Sequence, residues 1–178
     1  MILQKYKIVF GGSMGSGKSS AIQSLSDIPV ISTEAINTDL KSHQKALTTV
    51  GIDYGEVILE DESTIGLYGT PGQERFNFMW PILCRGAIGS IILIDHSKPD
   101  RLKDLEFYIQ NFKNYTNNLV IGISHTDLYQ EQLLKIYRDY MQLHHCYYPI
   151  FIVDAREKTD ILMLVETLIA NIEIELIA

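Results

Sequence analysis

The chain has 178 residues, a length close to that of one globular domain and large enough to bury a hydrophobic core. Its composition, 46% hydrophobic, 21% charged and 10% aromatic, excludes a disordered or fibrous chain. The formal net charge of −7 gives no electrostatic support for binding a nucleic-acid backbone, so a nucleic-acid partner is not expected. We predict a single domain over residues 1–178.

No segment has the pattern of a membrane span or a secretion signal. The longest apolar stretch, from Gly86 to Asp95, is far shorter than the roughly 20 residues that cross a bilayer. The first ten residues alternate charged and apolar side chains and lack the cleavage site of a signal peptide. Cys84 and Cys146 lie far apart and form no disulfide pattern, which is typical of a reducing compartment. The sequence therefore predicts a cytoplasmic protein without an integral membrane segment.

Short β-rich runs alternate with longer amphipathic segments along the whole chain. Several of these runs are almost continuously apolar, as are strands that are buried on both faces of a parallel sheet. The pattern predicts an α/β fold with a mostly parallel six-stranded sheet and helices on both faces. In chain order the predicted elements are strand 7–10, helix 18–25, strand 52–59, strand 63–68, helix 75–83, strand 90–94, helix 101–112, strand 119–123, helix 131–143, strand 150–153 and helix 159–176. Residues 29–48 are polar and irregular, which favours a loop.

Directly after the first predicted strand, residues 12–19 read GSMGSGKS and match the phosphate-loop motif G-x-x-x-x-G-K-[ST] in full. Its glycines allow successive backbone N–H groups to converge on a phosphate at a helix N-terminus. Lys18 is expected to bridge the β- and γ-phosphates, and the Ser19 hydroxyl to ligate Mg²⁺. The predicted phosphate-binding residues are Gly12, Ser13, Met14, Gly15, Ser16, Gly17, Lys18, Ser19 and Ser20.

Four further segments distinguish between the classes of phosphate-loop protein. They are TVGIDYGEV at 49–57, LYGTPGQERFNFMW at 67–80, SHTD at 124–127 and DAR at 154–156. In order and spacing they resemble the first switch, the second switch, the N-K-x-D motif and the S-A-K motif of Ras-, Rab- and Arf-like small GTPases. The T-P-G-Q segment further resembles a bacterial group related to the MglA polarity switch and, distantly, to the signal recognition particle receptor β-subunit.

The resemblance implies a role for particular residues. Thr49, or alternatively Thr48, would close on the γ-phosphate and Mg²⁺. Gly72 would donate its N–H to the γ-phosphate, and Gln73 would orient the attacking water. The Asp127 carboxylate would accept two hydrogen bonds from guanine. The remaining residues expected at the base are Ser124, His125, Ala155 and Arg156.

Three positions depart from the family pattern. Gly69 stands where the family has an aspartate that holds a magnesium water, so Asp39, Asp53 or Asp95 is a candidate replacement. Ser124 and His125 replace the Asn and Lys of the guanine motif. The serine lacks the carboxamide that braces the phosphate loop, whereas the histidine ring can still stack on a purine.

The third departure is Met14, at a phosphate-loop position that is usually glycine. Its side chain would crowd an arginine supplied by another protein, which predicts slow intrinsic hydrolysis. Arg75 and Arg85 are candidates to act in cis, the alternative being that both are surface contacts. The apolar second switch, with Phe76, Phe78, Met79 and Trp80, is expected to be partly core and partly a partner surface, with Trp80 favoured for the partner contact.

The resemblance thus implies a Mg²⁺-dependent switch that binds GTP, hydrolyses it to GDP and signals to protein regulators and effectors, a roadblock or longin-type regulator among them. Two alternatives remain open. The first is a nucleotide-binding interaction module with little turnover, favoured by Gly69 and Met14. The second is a phosphate-loop ATPase or kinase.

Overall fold

The computed structural model describes residues 5–33, 51–59, 62–126 and 133–177. Within them the chain forms seven strands, five α-helices and one short 3-10 helix. In chain order they are β1 (Lys5–Gly11), α1 (Lys18–Leu25), β2 (Ile31–Ser32), β3 (Asp53–Ile58), β4 (Thr64–Gly69), the 3-10 helix (Glu74–Met79), α2 (Trp80–Cys84), β5 (Gly89–Asp95), α3 (Arg101–Phe112), β6 (Leu119–Ser124), α4 (Leu133–Leu143), β7 (Ile150–Ile152) and α5 (Lys158–Ile177).

The strands form one mixed sheet in the order β2-β3-β4-β1-β5-β6-β7. The strands from β4 to β7 are parallel, and β3 and β2 are added antiparallel at one edge. The mostly parallel sheet is therefore confirmed, but the predicted count of six strands is wrong by one. The missed strand, β2, has only two residues, Ile31 and Ser32, which pair with Tyr54 and Asp53. It falls within the segment 29–48 that the sequence favours as a loop, most of which lies outside the described residues.

Helices cover both faces of the sheet, because its central strands are apolar on both sides. On one face, Ile8 and Phe10 of β1 pack with residues of α1 and α5. On the other face, Val9 packs with residues of α2, α3 and α4. Every residue of β5 is buried, as is every residue of β6. The amphipathic pattern of the last helix is confirmed, since Ile161, Leu164, Val165 and Leu168 all lie in the core.

The predicted helix over 75–83 forms in two parts. Residues Glu74–Met79 form the 3-10 helix, and a short α-helix begins at Trp80 with Pro81 in its first turn, where the missing proline N–H costs no hydrogen bond. The partner contact expected of Trp80 is wrong, because the indole is fully buried. Its ring packs against the rings of Phe107, Tyr108 and Phe112, whose centroids lie 5.7, 5.4 and 5.1 Å away. Trp80 therefore fixes the base of this segment to α3.

No helix among the described residues is both long enough and apolar enough to cross a bilayer.

Candidate nucleotide site

The phosphate loop joins the end of β1 to the start of α1. Gly12 has a φ of +142°, and a Cβ there would lie 2.3 Å from the carbonyl oxygen of Leu93, so the conformation requires glycine. Lys18 is buried, and its Nζ donates to the carbonyl oxygens of Gly12 and Ser13 at 2.7 and 2.9 Å. The ammonium group is thus held under the loop, where it can meet a phosphate bound at the N-terminus of α1.

The T-P-G-Q segment after β4 lies directly against this loop. Thr70 is buried and anchors the segment, because both its N–H and its hydroxyl donate to the carbonyl of Phe10, at 2.9 and 3.0 Å. The N–H of Met14 then donates to the carbonyl of Gly72 at 3.1 Å. A Cβ on Gly72 would lie 2.7 Å from the Cα of Met14 and 3.1 Å from Nζ of Lys18, so only glycine allows this approach. The structure therefore brings the predicted second switch into contact with the phosphate loop.

A carboxylate lies beside the Ser19 hydroxyl, although Gly69 supplies none. The Ser19 hydroxyl donates to Oδ2 of Asp53 at 2.5 Å. Asp53 pairs with Gly69 across the β3–β4 ladder, and a Cβ on Gly69 would lie 3.3 Å from that same Oδ2. Of the three candidates to replace the missing aspartate, Asp53 thus lies beside Ser19, Asp95 forms its hydrogen bonds with Ser97, and Asp39 lies outside the described residues.

Asp95 is buried at the end of β5, and its Oδ1 accepts from the N–H and the hydroxyl of Ser97 at 3.0 and 2.6 Å. The same oxygen lies 3.6 Å from Nδ1 of His125. Asp95 therefore orders the turn after β5 and faces the base side of the site.

Ser124 braces the phosphate loop, contrary to the expectation from its missing carboxamide. Its hydroxyl donates to the carbonyl of Ser16 at 2.8 Å, and it is almost fully buried at the end of β6. One short side chain can do this because β6 carries it close to the loop. A hydroxyl has a single proton to donate, so no second donor remains at this position for a base.

A cavity of about 680 Å³ opens next to this contact. It is lined by Gly17, Ser20, Ser124, His125, Thr126, Ile152, Val153, Asp154, Ala155, Arg156 and Asp160. A Cβ on Gly17 would lie 2.7 Å from the Cβ of Ala155, so the loop after β7 closes tightly on the phosphate loop. The cavity therefore continues from the phosphate site to the region where the sequence places the base.

A salt bridge fixes one wall of this cavity. The Arg156 guanidinium donates to Asp154 from Nε at 2.9 Å and from Nη2 at 2.5 Å. These hydrogen bonds lower the pKa of the Asp154 carboxyl to about 2. The Asp154 N–H donates to Asp160 at the start of α5, which ties the loop to the helix. The Arg156 guanidinium thus lies against Asp154 at the cavity wall.

His125 forms another part of the wall. Its φ of +56° lies in the left-handed region that side chains rarely adopt. In this conformation its Nδ1 lies 3.0 Å from the Ser124 hydroxyl, and the side chain is 45% exposed. The ring is therefore accessible from the cavity, as stacking on a base requires.

The other predicted residues are distributed as follows. Thr49, the alternative Thr48, and Asp127 lie outside the described residues. Gln73 is exposed just before the 3-10 helix. Arg75 is also exposed and stacks on Phe76, with its Cζ 4.9 Å from the ring centroid.

Arg85 lies at the other end of the sheet, because its carbonyl accepts from Nζ of Lys7, and Lys7 precedes Gly11 by about 13 Å along β1. Arg85 is therefore excluded as a residue acting in cis on a bound phosphate. One further cation, which no sequence motif points to, does reach the phosphate loop. It is Lys98, whose Nζ lies 2.8 Å from the Ser13 hydroxyl. The signal for it was its place just after β5, since ligands of such sheets bind at the carboxyl ends of the strands.

Comparison with known proteins places the chain in a family. A family model described as a conserved hypothetical ATP binding protein matches residues 29–172. The chain belongs to this family. The match to these ATP binding proteins begins after the phosphate loop and includes β3, the T-P-G-Q segment and the cavity loops.

Three curated proteins are among those similar to the chain. An uncharacterized protein of Methanocaldococcus jannaschii, MJ1339, is 33% identical over 100 residues, which are 56% of this chain and 57% of that protein. Ras-related protein RabC of Dictyostelium discoideum is 23% identical over 176 residues, 94% of this chain and 84% of RabC. Ras-related protein Rab-18-B of Danio rerio is 28% identical over 124 residues, 67% of this chain and 55% of Rab-18-B. The aligned part is thus little more than half the length of two of these relatives.

The mixed α/β sheet, the helices on both faces and the similarity to RabC agree on the fold. The chain has a Ras-like P-loop NTPase fold, as the sequence predicts. The family description and these similarities support a nucleotide-binding, small-GTPase-like protein.

Proposed function

We propose that the protein is a molecular switch that binds a guanine nucleotide with Mg²⁺ and hydrolyses GTP to GDP. The observation that carries this proposal is the contact between Met14 of the phosphate loop and Gly72 of the T-P-G-Q segment, at 3.1 Å. A γ-phosphate bound at Lys18 would lie where these two segments meet, so its presence or loss would change their contact. A phosphate loop alone does not provide such a coupling.

The metal would be held by Ser19 and Asp53, together with Thr49 and the phosphate oxygens. A hydroxyl and a carboxylate oxygen are ligands that Mg²⁺ prefers, and the two side chains already lie within hydrogen-bonding distance. When bound, the ion would neutralise charge that develops on the phosphates during transfer. Asp53 would thereby supply from β3 the carboxylate that Gly69 lacks in β4.

Hydrolysis would depend on Gln73 and Lys18. Gln73 follows the Gly72 that contacts the phosphate loop, and its exposed side chain is free to turn toward a water at the γ-phosphate. Lys18 would stabilise the negative charge of the transferred phosphoryl group. The exposed Met14 side chain beside this point supports slow intrinsic turnover.

The identity of the nucleotide base, guanine or adenine, is the point on which a second candidate function is supported. The family description names ATP, and Ser124 and His125 replace the guanine motif. A P-loop ATPase or kinase is therefore the second candidate function. Guanine is favoured by the similarity to Ras-related proteins and by Asp127, whose carboxylate can pair with the two guanine donors that adenine does not present.

A partner surface is proposed next to the second switch. Phe78 and Ile82 are 61% and 64% exposed, and they follow Gln73 within ten residues. Exposed apolar side chains at a segment that responds to nucleotide are suited to reading its state. A protein regulator or effector, of roadblock or longin type by the resemblance to the MglA-related group, would bind here. The test is whether Phe78→Ser weakens binding of such a partner while leaving nucleotide affinity unchanged.

The test of the function is a competition titration against a fluorescent guanine nucleotide. GTP, GDP and ATP compete with and without Mg²⁺, and phosphate release is then followed. The proposal expects GTP and GDP to compete better than ATP, with slow release that needs Mg²⁺. Equal competition by ATP would transfer the function to the ATPase candidate, and tight binding without release would support an interaction module that has lost turnover.

Two substitutions test the assigned roles. Lys18→Ala should abolish nucleotide binding, whereas Lys103→Ala, a change of an exposed lysine on α3, should not. Gln73→Leu should slow phosphate release and leave affinity unchanged. Unchanged affinity in the Lys18 variant or unchanged turnover in the Gln73 variant would remove that residue from the mechanism.

A further inference from the structure

The turn after β5 presents a lysine to the phosphate loop. Nζ of Lys98 donates to the hydroxyl of Ser13 and to the carbonyl of Met14, both at 2.8 Å. These partners lie 85 and 84 residues earlier in the chain, so the contact depends on the fold rather than on local sequence. Within the described part of the chain, Nζ has no carboxylate within salt-bridge distance.

The backbone of this turn is held in place from both sides. The N–H of Lys98 donates to the carbonyl of Asp95 at 3.3 Å, and the buried Asp95 carboxylate fixes the intervening Ser97. The carbonyl of Lys98 accepts from Nη1 of Arg101 at 3.3 Å, and Pro99 restricts the backbone further. The turn is therefore preorganised, and its backbone directs the lysine side chain to the phosphate loop.

Met14 is consequently contacted on both sides. Its N–H meets Gly72 of the second switch, and its carbonyl meets Lys98. Two of the three ammonium protons are used by Ser13 and Met14, so among the described residues a third proton remains to be donated at the same end of the loop. Asp53 and Asp95 bring negative charge close to the site, so an ammonium group there, in addition to Lys18 and the proposed metal, favours a highly charged phosphate chain.

We propose that Lys98 is a positioning residue for the triphosphate: it holds Ser13 and Met14 in place and adds positive charge at the γ-phosphate end of the loop. This inference rests on the proposed nucleotide site and deepens it. Lys98 reaches the loop, whereas the carbonyl of Arg85 lies at the opposite end of the sheet and Arg75 stacks on Phe76. The expected consequence is selectivity for the triphosphate over the diphosphate.

The test compares dissociation constants of the full chain for GTP and GDP with Mg²⁺, or for ATP and ADP if adenine binds better. Lys98→Met should weaken triphosphate binding about tenfold and diphosphate binding about twofold or less, as expected for a lost hydrogen bond to a charged group. Lys98→Arg keeps the charge and should keep the ratio of the two constants within about twofold of the wild type. Lys103→Met, on the exposed surface of α3, should leave both constants unchanged.

The outcomes separate this inference from the function on which it rests. A selective loss in Lys98→Met that arginine restores supports the role. Equal losses of affinity for the two nucleotides would show that Lys98 only holds the loop in place, and would overturn the proposed selectivity. Unchanged dissociation constants would overturn it as well. If the wild-type chain binds neither pair of nucleotides, the proposed function itself fails, before any variant is compared.

Discussion

Replacing Asp53 with asparagine tests how the metal is held without an aspartate at position 69. Asparagine has nearly the same shape, and its side-chain oxygen can still accept from Ser19, so the change removes charge rather than packing. The Ser19 and Asp53 oxygens are 2.5 Å apart as hydrogen-bonded partners. Two adjacent oxygens of an octahedral Mg²⁺ at about 2.1 Å would be about 3.0 Å apart. The two groups therefore need to separate by about half an ångström to become ligands, or less if a water intervenes.

The size of the effect follows from this position. Loss of a side chain that supports a metal through a water or through another ligand typically costs about 10- to 100-fold in metal affinity, or about 1.4 to 2.7 kcal/mol, and this is the least to expect if Asp53 is a direct ligand. The assay is the affinity for a fluorescent triphosphate, measured over a series of buffered Mg²⁺ concentrations. The Mg²⁺ concentration that gives half of the effect should rise by that factor in Asp53→Asn, whereas the affinity without Mg²⁺ should change little.

A matched control exists on the same strand. Glu56 lies three residues along β3, and because side chains alternate, it projects from the opposite face. Glu56→Gln removes the same charge there and should leave the Mg²⁺ requirement unchanged. An unaltered Mg²⁺ requirement in Asp53→Asn would refute the reasoning, since the site would then not use this carboxylate.

A rescue variant tests the position of the charge. In Asp53→Ala combined with Gly69→Asp, the carboxylate moves to the paired residue of β4. A Cβ at position 69 would lie 3.1 Å from the end of the Ile22 side chain, which can shift. The Mg²⁺ requirement should then return toward that of the wild type. A double variant that folds and yet behaves like Asp53→Ala alone would show that the carboxylate must come from β3.

Three further predictions concern stability. Trp80→Ala should lower the free energy of unfolding by about 3–5 kcal/mol in a urea titration. Ile82→Ala, at an exposed position of the same helix, should change it by less than about 0.5 kcal/mol. Equal effects of the two substitutions would contradict the burial of the indole. Burial, aided by Arg101, lowers the pKa of His96, so the folded state binds this proton less readily than the unfolded state. The contribution of His96 to the free energy of unfolding is therefore complete above about pH 6.5 and should be lost as the pH falls toward the lowered pKa of the folded state. In His96→Gln the free energy of unfolding should fall less steeply over this pH range. Equal pH dependence in the two proteins would contradict the prediction. Ser124→Ala leaves the Ser16 carbonyl without the hydroxyl donor and should lower the free energy of unfolding by about 1–3 kcal/mol, measured with and without nucleotide. An unchanged free energy of unfolding would show that this hydrogen bond is not needed to hold the phosphate loop.

The main elements could be predicted because their signals are local. The phosphate loop is a contiguous motif between a strand and a helix, and the buried strands β5 and β6 are continuous apolar runs. The strand β2 could not be predicted in the same way, because two residues have no periodicity. It forms because β3 offers an open edge to which Ile31 and Ser32 add.

The burial of Trp80 depends on residues more than 25 positions later in the chain. In the sequence it closes an apolar run that includes the exposed Phe78, and nothing local separates the two. The aromatic side chains of Phe107, Tyr108 and Phe112 make the difference, since α3 places them around the indole. The position of Lys98 at the phosphate loop has a similar cause, because Ser13 and Met14 become its neighbours only once β1 and β5 pair.

The pair of Gly69 and Asp53 illustrates why a missing motif residue does not by itself mean that the chemistry is lost. A sequence motif relates residues along one strand, and in β4 the aspartate of the motif is replaced by Gly69. The metal site, by contrast, depends on where an oxygen lies in space, and two residues paired across an antiparallel ladder hold their Cβ positions close together. Asp53 and Gly69 are such a pair. The Asp53 carboxylate on β3 therefore reaches the Ser19 hydroxyl, close to the place that a carboxylate at position 69 of β4 would occupy. If the rescue variant restores the Mg²⁺ requirement, loss of the aspartate at 69 is no evidence for lost turnover, and the argument for an inert module then depends on Met14 alone.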